Sequence, residues 1–315
     1  MRIAVGLLRD ADGRVLVSRR RRDAHLGGLW EFPGGKCGAG EPARAALDRE
    51  LQEELGIRVR DAVETLVIPH RYPDRRVELR VFRVDRWEQA VVAREGQPLR
   101  WVDPEGLDAL AFPAASRAIV HAARLPGTYL VSPEPPSPAQ IAEWVDWVEQ
   151  GIIANGVRLL QVRAPGLERE AFLDYAGRLL EVAARHRVEA LVNAPESWLD
   201  RLPAAGWHLT EQRLRSLRAR PDREGWLAAS VHDRDGLLRA MALPVDFVVV
   251  APVRPTRTHP GARALGLPAF ATLRAEASCP VFALGGMTPD DLPAVRALGA
   301  QGIAAIRGLL PAARA

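Results

Sequence analysis

Glu50, Glu53 and Glu54 sit close together in GKCGAGEPARAALDRELQEELGI, residues 35–57 of the chain. If the stretch is helical, spacings of three and four put these carboxylates on one face. Like charges so placed destabilise an isolated helix by ~0.2–0.5 kcal/mol per pair. Oxygen ligation of a hard divalent cation, Mg²⁺ or Mn²⁺, would offset that cost. The plainer alternative is a solvated face on which Arg49 pairs with Glu53. The element that must position the acids is a helix over 42–55, since Pro42 suits a first turn and Gly56 a left-handed stop. Ala43, Ala46, Leu47, Leu51 and Leu55 form its apolar stripe, and Pro33-Gly34-Gly35 forces a tight loop just before it.

A second set of candidate groups lies in the other half of the chain. Gly285-Gly286 and Arg307-Gly308 each follow a short apolar run, the arrangement in which backbone N–H groups bind phosphate. The segment PVRPTRTHPGA, residues 252–262, offers hydroxyls and cations, among them Thr256 and Thr258. His208 and His232 also end apolar runs.

Two different frameworks surround these groups. Before the turn at 125–127, strands are expected at 2–9, 14–19, 63–68, 77–86 and 99–102, with a closing helix at 114–123. After it, apolar runs at 128–131, 157–162, 189–192, 206–209, 227–231, 246–251, 280–284 and 302–306 alternate with helices. The helices are clearest at 138–153, 168–186, 233–242 and 289–298, and weak near 197–202 and 211–218. That alternation predicts a (β/α)₈ barrel. The chain is accordingly α/β throughout, with domains at 1–125 and 126–315.

The 315 residues exceed one typical core, and 48% hydrophobic with 26% charged residues reads as globular. No apolar run approaches the ~20 residues of a membrane span. Cys37 and Cys279 form no metal or redox motif, which with the absence of a signal-like start points to the cytoplasm. A formal net charge of +4 is modest. The run Arg19 to Arg22 lacks aromatic interleaving, so a phosphorylated small molecule is a better expectation than a nucleic-acid polymer. Nothing in the sequence fixes the oligomeric state.

The residues around the acidic stretch (Gly35, Glu41, Arg49, Glu50, Leu51, Glu53, Glu54, Gly56, Ile57) resemble the Nudix hydrolase signature at every specified position. With IAVGLLRD, SRRRRDAH, LWEFPGGK, YPDRR, REGQP and FPAAS, residues 1–125 resemble the MutT, or 8-oxo-dGTP diphosphatase, family. The resemblance implies a Nudix α/β/α sandwich that cleaves a nucleoside triphosphate into monophosphate and pyrophosphate, a nucleotide-pool sanitation activity. It implies that Glu50, Glu53, Glu54 and Glu95 hold Mg²⁺ with the Gly35 carbonyl, and that one of Glu53, Glu54 and Glu95 takes the proton of water. Glu41 and Arg49 would brace the loop as an ion pair. Arg20, His25, Phe32, Arg75 and Ser116 would line the nucleotide pocket. Ser116 departs from the family's asparagine, and one hydroxyl cannot replace a two-bond contact along a purine edge.

From 127 to 310, TYLVS, LLQVR, LVNAPE, GWHLTE, AASVHD, VFALGGM and AAIRG resemble thiamine phosphate synthase and its TenI-type relatives. The resemblance implies a TIM barrel with ligand contacts at Gln161, Arg163, Asn193, His208, His232, Thr256, Thr258, Gly285, Gly286, Arg307 and Gly308. It departs from the synthase at the metal carboxylates, where Ala194 and Arg213 stand, and at the lysines, where Pro165 and His259 stand. The expectation is a barrel that binds a phosphorylated thiazole, pyrimidine or thiamine compound but lacks synthase activity. Two alternatives follow: hydrolysis of damaged thiamine diphosphate analogues by the first unit, or regulation of that unit by a ligand-sensing barrel.

Overall fold

The structure, a computed structural model, describes residues 1–23, 26–202, 206–256, 261 and 263–312. It divides into two compact units, Met1–Leu125 with Ala275–Pro280, and Pro126–Arg274 with Val281–Ala315. No helix among the described residues is long and apolar enough to cross a membrane.

In the first unit, β1 (Arg2–Leu8) pairs in parallel with β6 (Arg76–Glu88) and antiparallel with β4 (Gly34–Lys36). β5 (Arg58–Arg71) closes the far side of β6, giving the order β4-β1-β6-β5. A smaller sheet joins β3 (Trp30–Glu31), β2 (Val15–Arg19) and β7 (Leu99–Val102). The strands are buried on both faces. Val5 and Leu7 of β1, with Val77, Leu79 and Val81 of β6, enter one apolar cluster; Ala4, Leu8, Phe82 and Val84 enter the other. Period-two alternation thus feeds two cores, each needing its own helix. Helix α1 (Ala43–Leu55) covers one with Ala46, Leu47, Leu51 and Leu55. Helix α2 (Arg117–Arg124), entered through a 3₁₀ turn at Ala114–Ser116, covers the other with Ile119, Val120 and Ala123. This is the expected α/β/α sandwich. Pro42 is the N-cap of α1, and Gly56 stops it at φ 72°.

In the second unit, β8 (Thr128–Val131), β9 (Leu159–Val162), β10 (Glu189–Val192) and β11 (Gly206–Leu209) are followed by β12 (Leu227–Val231), β13 (Phe247–Val250), β14 (Val281–Leu284) and β15 (Gly302–Ala305). All pair in parallel and close on themselves, β15 meeting β8. Between them run α3 (Ile141–Asn155), α4 (Arg169–Arg185), α5 (Glu196–Leu199), α6 (Glu211–Ser216), α7 (Arg234–Ala242), α8 (Gly266–Glu276) and α9 (Leu292–Ala297). The interior is a packed core rather than a pore. Tyr129, Phe247 and Phe282 meet there with ring centroids 5.4–5.7 Å apart. The (β/α)₈ barrel is the fold the alternation of runs and helices predicts.

Candidate functional site

Helix α1 presents its acids to the turn that leads into it. Gly34 N–H donates to Glu54 Oε2 at 3.2 Å. A Cβ on Gly35 would fall 2.2 Å from the Glu50 carboxyl, so only glycine lets the carboxylate reach that backbone. Arg49 ties the neighbourhood together. It donates to Glu41 at 3.1 Å through two nitrogens, to the Lys36 carbonyl at 3.0 Å, to Glu50 at 2.8 Å and to Glu53 at 3.2 Å. The Arg49–Glu53 pair is the one a plain solvated face would make, and the Glu53 side chain is 56% exposed. Glu50 is different, at only 16% exposed.

Glu54 separates the two readings more sharply. Burial, then the fields of Glu31, Glu95 and Glu50, push its carboxyl up to about 8 against a single opposing bond from Gly34. A solvated face would not concentrate negative charge on a half-buried acid. The loop bearing Glu95 is fastened to the same place: Arg94 N–H and Gln97 Nε2 both donate to the Glu54 carbonyl, at 3.0 and 3.1 Å. Glu31 is the member that sequence reading missed. It sits in β3, ion-paired with Arg20, and burial raises its pKa despite that pair. Its signal was its place in WEFPGG, immediately before the turn.

A pocket of about 450 Å³ is lined by Arg19 to Arg22 and by Glu95 to Pro98. Arg20 and Glu95 therefore meet at one opening. Other pocket candidates are placed elsewhere. Phe32 is core, stacked on Phe112 at 5.2 Å. Arg75 is exposed at the β5–β6 turn and donates to Asp74 at 2.8 Å. Ser116 is 7% exposed, at the end of the 3₁₀ turn. His25 lies outside the described residues.

At the mouth of the barrel a cavity of about 380 Å³ gathers Gln161, Arg163, Asn193, His232, Thr256 and Gly285. Gly286, Arg307 and Gly308 stand in the neighbouring loops without lining it, and Thr258 lies outside the described residues. Ser230, Thr210 and Glu211 also line it and were not anticipated. His208 is 1% exposed beneath it, with Nδ1 3.1 Å from Tyr129 Oη and Nε2 2.9 Å from Ser230 Oγ. Burial, then Arg163 and Arg213, lower its pKa to about 3, so the ring is neutral. The Tyr129 hydroxyl is fully buried, and its donor finds its partner among the described residues in Nδ1. Leaving that donor unmet would cost ~1–3 kcal/mol. Tyr129 therefore donates to Nδ1, Nε2–H donates to Ser230, and the Ser230 proton is left for the cavity.

Residues 4–122 match the family model described as NUDIX domain, and residues 128–309 that of thiamine monophosphate synthase. The chain belongs to both families: a Nudix hydrolase unit followed by a barrel of the thiamine monophosphate synthase and TenI type. Its first unit is similar to the 8-oxo-dGTP diphosphatase of Escherichia coli (strain K12), 38% identical over 120 residues, or 38% of this chain and 93% of that protein. Its second is similar to the thiamine-phosphate synthase of Thioalkalivibrio sulfidiphilus (strain HL-EbGR7), 33% identical over 189 residues, or 59% of this chain and 88% of that one. A solved structure from a study of MutT of Aliivibrio salmonicida and Vibrio cholerae shares 28% identity, covering 39% of this chain and 94% of its own, with a TM-score of 0.34. The first unit is thus homologous to hydrolases that act on diphosphate linkages.

Proposed function

We propose that the first unit is a divalent-metal-dependent pyrophosphohydrolase of nucleoside triphosphates, with 8-oxo-dGTP as the leading substrate. The observation carrying this reading is the accumulation of Glu31, Glu50 and Glu95 around a half-buried Glu54 whose carboxyl is pushed up to about 8. Among the described residues no three acidic, histidine or cysteine side chains are already gathered as a metal cage. The donor set nevertheless fits a hard cation, because it consists of carboxylates that repel one another beside a glycine backbone. Glu50, Glu53, Glu54 and Glu95, with the Gly35 carbonyl, would hold Mg²⁺ or Mn²⁺. When bound, such an ion neutralises polyphosphate charge and makes a water more acidic.

The chain's own groups supply the remainder. Arg20 and its neighbours offer guanidinium donors to phosphate oxygens at the opening they share with Glu95. One carboxylate of Glu53, Glu54 and Glu95 accepts the proton of the attacking water, and acids sharing one field titrate as a set. Arg49 holds Glu50 and Glu53 in place on α1 and anchors the preceding loop through Glu41.

The test is a hydrolysis panel of 8-oxo-dGTP, dGTP and oxidised thiamine diphosphates with Mg²⁺, using Glu53→Gln as control. Preference for 8-oxo-dGTP is the expected result. The buried Ser116 hydroxyl, in place of a two-bond amide, favours a second reading in which damaged thiamine diphosphates are the substrates. Faster turnover of those compounds would establish it.

For the barrel, we propose binding of a phosphorylated thiazole, pyrimidine or thiamine compound without synthase activity. Ala194 is 1% exposed and its carbonyl accepts from Trp207 Nε1 at 3.0 Å, so that position is packing rather than ligand. Thiamine phosphate formed from its two precursors would refute the absence of synthase activity.

A further inference from the structure

The sign of the charge at the barrel mouth is opposite to what a cation site needs. Arg163 lines the cavity, and its guanidinium makes no hydrogen bond or ion pair with a described residue. Burial outweighs the one acid that acts on it, Glu134, whose Oε1 accepts from Gly166 N–H at 2.6 Å. Arg213 is half-buried on α6 and donates to Asn193 Oδ1 at 2.6 Å, a neutral partner. Among the described residues no carboxylate pairs with it, and burial lowers the pKa of both arginines. Glu211, which also lines the cavity, is paired with Arg215. The Asn193 oxygen, otherwise a donor to a metal, is taken by Arg213. These residues do not fit a divalent cation, because two poorly compensated guanidiniums repel it and the nearby oxygens are already engaged.

They do fit a phosphate. Guanidinium groups give forked hydrogen bonds to phosphate oxygens, and partial burial strengthens them. Ser230 adds a donor whose direction is fixed from behind by Tyr129 and His208. Arg163 and Ser230 line the cavity, and Arg213 reaches its edge through its bond to Asn193, which lines it as well. A cavity of about 380 Å³ leaves room for a small organic group beside the anion. We infer that the barrel mouth takes the phosphate of a small phosphate monoester directly on Arg163, Arg213 and Ser230, with no divalent cation between them. This rests on the reading that the barrel binds a phosphorylated compound, and adds how the phosphate is held.

Calorimetric titration of the full chain with inorganic phosphate and with a thiazole monophosphate, in EDTA and in excess Mg²⁺, tests it. The expected result is equal affinity in the two buffers. Arg213→Gln and Arg163→Gln should each weaken binding about tenfold or more, and Ser230→Ala roughly fivefold. Arg213→Lys, which keeps the charge but loses the fork, should weaken binding less than Arg213→Gln, and an unchanged melting temperature separates lost binding from lost fold. Binding that requires Mg²⁺ and ignores Arg213→Gln would overturn the inference while leaving a phosphate-binding barrel. Absence of binding in both buffers would remove that underlying reading as well.

Discussion

The two units solve opposite electrostatic problems. Burial beside other carboxylates pushes Glu54 up to about 8 on helix α1, whereas burial beside two guanidiniums lowers His208 to about 3 at the barrel mouth. Both sites are made by burial next to like-signed neighbours, and each is completed by something of the opposite sign. On the reading proposed here, that partner is a cation at α1 and an anion at the barrel. On the two proposals above, one chain handles phosphate compounds in two ways, through a metal held by acids and through arginines alone. Divalent ions should therefore matter at one site and not at the other.

The largest effect that tests the contrast is Glu53→Gln. Hydrolysis should fall on the order of 10²–10⁴-fold, as for loss of a group acting on a proton in the transition state. Phosphate binding at the barrel should not change. Pyrophosphate release and calorimetry on the same preparation measure both. Gly35→Ala comes next. Its Cβ would meet the Glu50 carboxyl at 2.2 Å and push that flexible side-chain end aside, so stability should change little while hydrolysis falls at least about tenfold. Initial rates would show the loss, and denaturant unfolding would show that the fold is kept.

Protonation sharpens the barrel side. The folded pKa of His208 lies below the ordinary imidazole value of 6.5, at about 3. The neutral ring's contribution to stability is thus fully present above 6.5 and is lost as pH falls toward 3. The groups facing the ring are Tyr129, Ser230, Arg163 and Arg213, and neither arginine titrates in that window. Relative to His208→Gln, the wild-type barrel should lose ~2 kcal/mol of stability between pH 6.5 and 5, seen in denaturant midpoints. A flat difference would mean that the ring is not held neutral. The smallest expected effect is Ser116→Asn, which should favour 8-oxo-dGTP over dGTP by about 1 kcal/mol through one regained base contact. Competition between the two substrates measures it.

Much of this architecture is legible in the sequence, because apolar periodicity reports burial directly. The eight barrel strands fall where their short apolar runs stand, and α1 is bounded by Pro42 and Gly56 as expected. What escaped has identifiable causes. Helix α8 follows a proline-rich segment, and its apolar residues do not form a clear stripe. β3 and β4 are too short to show a period. β5 runs from Arg58 through Pro69 to Arg71, with register shifts that break its alternation. The site was readable where its residues lie on one helix. Glu31 reaches Glu54 across the fold, and Ser230 gains its role through His208 and Tyr129 on other strands. Arg213 stood out in the sequence as a misplaced acid, but its bond to Asn193 needs β10 and α6 side by side. Such through-space partners leave no periodic trace.

Manganese titration of the full chain, followed by the paramagnetic signal of the free ion, tests the central claim most directly. The account predicts that Mn²⁺ is taken up by the wild type, that uptake weakens at least about tenfold in Glu50→Gln and Glu54→Gln, and that Arg213→Gln leaves it unchanged. Manganese that stays free in the wild type, or uptake indifferent to both glutamate substitutions, would contradict it.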